Sequence, residues 1–245
     1  MATIARGGAA SGFRPSFHLL MALLMAFFVF GGFGMTYLWP LAAGTFPPAP
    51  PVVHLHGVVF FAWTLLLVVQ SVLVNVRNVK LHRSVGTFGI AVAAIVFFTG
   101  LLITLLGASY GLHAPDDAGL FYLSLVAPPS FAVLFAMAIR AVKTPRVHRN
   151  LILLAMVSIV MPGINRFYMM SLGLGSVPFY ATYLTMDAML AAVLWHERRA
   201  TGRVSKATWI AAAIIVVPQF FLPLVAPTEW FVGVIEWLGS LVYFR

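Results

Sequence analysis

Apolar residues run along this chain in long unbroken stretches, at about 17–39, 52–76, 84–110, 118–142, 150–171, 178–195 and 207–226. A helix needs about 20 mostly apolar residues to cross a hydrocarbon layer roughly 30 Å thick. The stretches do not alternate apolar and polar positions, so they are not barrel strands. Their connections are short, as between neighbouring antiparallel helices. The pattern predicts an all-α transmembrane bundle of about seven spans. The first apolar run exceeds the 7–15 residues of a signal peptide, and Leu41-Ala42-Ala43 is a poor cleavage site, so it reads as a retained span. Residues 230–244 would make only about 22 Å of helix. Glu229 and Glu236, seven apart, share a face with Trp230 and Trp237 beside them, which fits a helix lying in the outer interface. A short eighth span ending at Arg245 is the alternative. The organisation expected is an N-terminal arm (1–16), a membrane domain (17–227) and an amphipathic tail (228–245).

Composition agrees. Of 245 residues, 62% are hydrophobic and 9% charged; a soluble domain carries about 25% charged residues. The chain has no cysteine, which excludes disulfides, thiolate catalysis, iron–sulfur clusters and thioether-linked haem. The net charge of +9 is a matter of placement. Thirteen of the fifteen basic residues fall in the N-terminal arm and in the loops after the second, fourth and sixth stretches. Asp116, Asp117, Glu229 and Glu236 fall at the other end. The positive-inside rule puts the basic end and the N-terminus in the cytoplasm of a bacterial inner membrane. The charge is thus a topology signal and an attraction to anionic lipid, and no nucleic-acid partner is expected. A membrane-protein partner or a homo-oligomer stays open.

Two basic loops resemble each other. Arg77-Asn-Val-Lys80 precedes His82-Arg83-Ser84, and Arg140-Ala-Val-Lys143 precedes His148-Arg149-Asn150, each opening an outward-going helix. The second and third stretches and the fourth and fifth thus read as a parallel duplication, with Ser84 and Asn150 as helix N-caps. His82 and His148 could ligate a metal or haem, or could be interfacial residues among basic anchors. His54-x-His56 could share one ion only where a helix start is irregular, since two residues turn about 200°.

His56, Trp63, Gln70 and Arg77 recur every seven residues, forming one stripe. It is either a packed seam with Gln70 bonded across helices or the lining of a cavity. His56-x6-Trp63-x6-Gln70, followed by Leu81-His82-Arg83-x-x-Gly86, resembles predicted bacterial inner-membrane proteins of unknown function over roughly residues 52–170. The resemblance implies a bacterial multi-pass protein and brings no activity. The fold is also similar to transmembrane cytochromes b, from which the chain departs in lacking paired histidines deep in its spans.

Three stretches carry prolines at one depth: Pro128-Pro129, Pro162-Gly163 and Pro218. Each is expected to interrupt its helix, and they free the carbonyls of Ser124, Ser158 and Ile214. Arg166 and Asp187 lie near that level, about 8 Å apart along the membrane normal. A lone charge in hydrocarbon is costly, so the two are expected to pair, directly or through water. Asn165, Gln219, Thr99 and Tyr183 lie at comparable depth, and Tyr180, Tyr183 and Asp187 share a helix face. Together they outline a polar pocket in the outer half, walled by the fourth to seventh stretches.

Three functions follow. The first is a solute- or ion-binding transporter with Arg166 and Asp187 at its site. The second is a redox subunit holding haem b or copper on His82 and His148, or on His54 and His56, with a quinone near Trp63 and Gln70. The third is a structural or assembly subunit. Enzymatic activity stays open, but no His-Glu-x-x-His and no Ser-His-Asp set at one depth occurs, and the seventh stretch has no lysine for a retinal Schiff base.

Overall fold

The computed structural model describes residues 13–109, 118–173 and 179–241. Every regular element among them is helical. Helix α1 runs Phe17–Ala42, α2 Pro51–Asn75, α3 Val79–Ser109, α4 Ala118–Arg140, α5 Pro145–Ile159, α6 Met161–Ser171, α7 Phe179–Thr201, α8 Lys206–Val225 and α9 Glu229–Ser240. Five helices (α1, α2, α3, α4 and α8) are long and apolar enough to cross a membrane, and α5 with α6 adds a sixth as one bent span. This is the architecture of a multi-pass membrane protein. The 23-residue α7 has the length to cross, but its Tyr, Thr and Asp positions dilute its apolar character.

Helix α5 is the centre. Leu151 and every residue from Leu153 to Met161 is buried, because α1, α4, α7 and α8 all touch α5. The stretch from Leu151 to Val157 is apolar all round, and such a stretch belongs in the interior. Around it, α2 pairs with α3 and α4 with α5, and the two hairpins meet along α3 and α4. The chain turns by 52° between α5 and α6. Pro162 supplies no backbone donor to the Ser158 carbonyl, so the helix ends at Ile159 and restarts at Met161. Past the bend, α6 crosses α1 backbone to backbone. A Cβ on Gly32 would collide with the Gly163 carbonyl, and one on Gly163 would stand 3.0 Å from the Val29 Cα. Near this crossing α1 loosens into a π-helical turn at Gly34–Leu38.

The other prolines act differently from expectation. Helix α4 runs unbroken through Pro128 and Pro129. The Ser124 carbonyl that Pro128 leaves free meets Thr104 Oγ1 from α3 at 2.9 Å. Helix α8 likewise continues through Pro218, whose own carbonyl accepts from the Tyr122 hydroxyl at 3.0 Å. Ser84 and Asn150 are not caps. Asn78 Oδ1 accepts from the Leu81 N–H at 3.2 Å, so α3 begins at Val79, upstream of Ser84. Pro145 starts α5, where its missing donor costs nothing, and Asn150 lies inside that helix. His82 and His148 therefore sit in the first turns of α3 and α5.

Helix α9 spans 12 residues, about 18 Å, which is short of a crossing. It touches α3 and α4, and its contacts gather at one end of the bundle. Phe231 meets Phe121 and Tyr122 near the start of α4, and Gly239 abuts the Ala108 carbonyl near the end of α3. The helix lies across that end, with Phe231 and Ile235 buried and Trp230 and Trp237 exposed. The remainder of the tail, from 242, lies outside the described residues, as do Asp116 and Asp117.

Candidate functional site

Between the two hairpins, at the basic end, lies a cavity of about 910 Å³. Its walls come from α2, α3, α4 and α5 and are mostly aliphatic. Trp63 and Gln70, from the heptad stripe of α2, reach it, as do His82 and His148. Along their helices His82 and His148 lie about 5 Å from the basic end, Gln70 about 8 Å and Trp63 about 18 Å. The two histidines are thus level with each other on different helices. Thr87, Arg83, Lys143 and Arg149 complete the polar lining, and no carboxylate joins it. None of the three cations forms an ion pair among the described residues.

Sequence offered two readings of Gln70. In the structure neither its Oε1 nor its Nε2 has a partner, although both are buried. A buried amide left so costs about 1–3 kcal/mol. Trp63 Nε1 and His82 Nδ1 share that state. The Trp63 ring is wedged edge-on against Phe131 at 5.3 Å and Phe135 at 5.5 Å, so its position is fixed by packing. Gly86 faces Gln70, a Cβ there standing 3.7 Å from Nε2, in ordinary van der Waals contact. His148 is differently placed. Its Nδ1 donates to the Ala138 carbonyl at 2.8 Å, which fixes the proton on that nitrogen and leaves the Nε2 lone pair free.

The polar residues of the other half are engaged separately. Arg166 and Asp187 form no direct ion pair. Asp187 Oδ1 accepts from Gln219 Nε2 at 2.9 Å, tying α7 to α8. The Arg166 guanidinium turns to α1, 4.7 Å above the Phe33 ring, and donates to the Pro162 carbonyl of its own helix at 3.3 Å. On α6 it is Asn165 that faces α7, 3.4 Å from Thr182 Oγ1. Adjacent positions on a helix point about 100° apart, so the guanidinium is turned away from the carboxylate. Tyr183, with a buried and unpartnered hydroxyl, and Gln219 line a cavity of only about 40 Å³. That is room for a few waters, not for the solute pocket expected there. Tyr180 is exposed.

His54 and His56 part company. His54 Nδ1 meets the Tyr37 hydroxyl of α1 at 2.9 Å. His56 Nδ1 meets Thr99 Oγ1 of α3 at 3.1 Å. Thr99 spends its own proton on the Ile95 carbonyl at 2.7 Å, so His56 is the donor. Among the described residues no three of His, Asp and Glu gather as a metal site, so a bare copper ion would lack a third such ligand. Asn150, expected as a helix cap, is instead buried, and so is Glu197, which the sequence did not single out. Asn150 accepts from His18 Nε2 at 3.1 Å, and Glu197 is 3% exposed with Oε2 unpartnered. Each sits beside arginines and so resembled a solvated helix end. No protein-family model matches the chain, and no curated protein or solved structure matches it significantly.

Proposed function

We propose that this is a bacterial inner-membrane protein, with its N-terminus and basic loops in the cytoplasm, that binds a membrane-soluble small molecule in the cavity between the two hairpins. One observation carries the reading. Three side chains with buried, unpartnered polar atoms (Trp63, Gln70 and His82) all line the same 910 Å³ space. Binding sites of this kind are mostly apolar with a few polar groups that fix orientation. A rotation of the Gln70 side chain toward Gly86 brings its amide to the cavity, where a bound molecule offers the partners the protein withholds. The cationic rim and aliphatic walls call for an amphiphile, its charged end toward the cytoplasm and its body in the membrane.

The test compares the purified full chain with Gly86→Leu, which puts a large side chain into the cavity. Organic extracts of both, read by mass spectrometry, are expected to differ by an amphiphile retained only by the parent. Identical extracts from two equally stable proteins would sink the proposal.

A further inference from the structure

The cavity's donor set is selective about its occupant. His148 presents Nε2 as a lone pair while Nδ1 is held on the Ala138 carbonyl at 2.8 Å. Metal-ligating histidines are oriented this way, the far nitrogen tied to a carbonyl so that ring and tautomer are fixed. His82 stands at the same height on α3 and lines the same cavity. Two imidazoles alone make a poor site for a naked ion, since structural metal sites take four ligands and open catalytic ones three. Among the described residues no third His, Asp or Glu joins them. Two nitrogens do suffice when the metal arrives with four ligands of its own. The rim adds a further constraint: Arg83, Lys143 and Arg149 line the cavity without a carboxylate to offset them, so the occupant brings negative charge to the cytoplasmic end. The aliphatic walls, Leu66, Ile90 and Ile139 among them, suit a broad apolar body. With no cysteine in the chain, the group is not attached through a thioether.

We infer that the cavity binds a haem-type iron porphyrin, with the iron on Nε2 of His148, His82 as second axial ligand, and the porphyrin carboxylates against Arg83, Lys143 and Arg149. The inference rests on the cavity reading above and names its ligand.

The probe is ferric haem added to the purified full chain in detergent, with metal-free protoporphyrin as a second ligand. The parent is expected to give a sharpened, red-shifted Soret band of six-coordinate low-spin form. His82→Ala converts it to a high-spin spectrum, and His148→Gly loses the low-spin form, which added imidazole restores. Metal-free protoporphyrin, which asks nothing of the histidines, is retained by His148→Gly as by the parent, and this shows that the variant is folded. Arg149→Ala and Lys143→Ala weaken both porphyrins without altering the haem spectrum. A haem spectrum unchanged in His148→Gly, or no spectral change in the parent, overturns the inference. If that happens while Gly86→Leu still loses an extracted amphiphile, the cavity has another ligand and only the haem assignment falls. If the extracts also match, both fall.

Discussion

Thr104 Oγ1 lies 2.9 Å from the Ser124 carbonyl, the oxygen that Pro128 deprives of its partner within α4. A side chain of one helix thus repairs the backbone of the next. Thr104→Val removes the hydroxyl and leaves the carbonyl bare, at a cost of about 1–3 kcal/mol; Thr104→Ser retains most of the stability. In a Pro128→Ala background the backbone donor returns, and Thr104→Val becomes cheaper. Thermal melts of the four proteins in one detergent measure the coupling.

The crossing of α1 and α6 depends on two absent side chains. Gly32→Ala drives a methyl into the Gly163 carbonyl, and overpacking of this kind costs about 1–3 kcal/mol. Gly34, two residues on, has nothing within 4 Å of a built Cβ, and Gly34→Ala is expected to stay within about 0.5 kcal/mol of the parent. Equal losses in the two variants would show that the crossing is looser than described.

Arg166 and Asp187 are predicted to act independently. A double-mutant cycle with Arg166→Met and Asp187→Asn should give a coupling below about 0.5 kcal/mol, as for residues without shared partners. Asp187 with Gln219→Leu should give about 0.5–3 kcal/mol, because these two share a bond of 2.9 Å. A larger coupling for Arg166 than for Gln219 would restore the ion pair.

Gln70→Leu separates stability from binding. Leucine removes two buried atoms that have no partners, so the unliganded protein is expected to gain about 1 kcal/mol. The same change should abolish retention of the extracted amphiphile. Loss of both stability and retention would mean that Gln70 holds the fold instead.

Long apolar stretches made the membrane helices legible, because hydrocarbon demands their length. Two boundaries were less so. The caps at Ser84 and Asn150 were misplaced because Asn78 and Pro145, a few residues earlier, are alternative starts and local pattern cannot choose between them. The Arg166–Asp187 pair failed on azimuth: depth along a helix follows from counting residues, whereas the direction a side chain faces depends on which neighbour the helix packs against. The cavity arises from the meeting of two hairpins, which no local pattern encodes. Its traces were nevertheless in the chain, as the repeated His-Arg pairs and the Trp63–Gln70 stripe, and they converge on one space only when α2 to α5 are assembled.

Helix α9 has a consequence for biosynthesis. Phe231 and Gly239 seat on Phe121, Tyr122 and Ala108, surfaces made more than a hundred positions earlier. They wait uncovered while the intervening segments emerge from the ribosome, and the far ends of α3 and α4 are closed over only once α9 has been made. A chain arrested before α9 would carry Phe121, Tyr122 and the end of α3 without their cover.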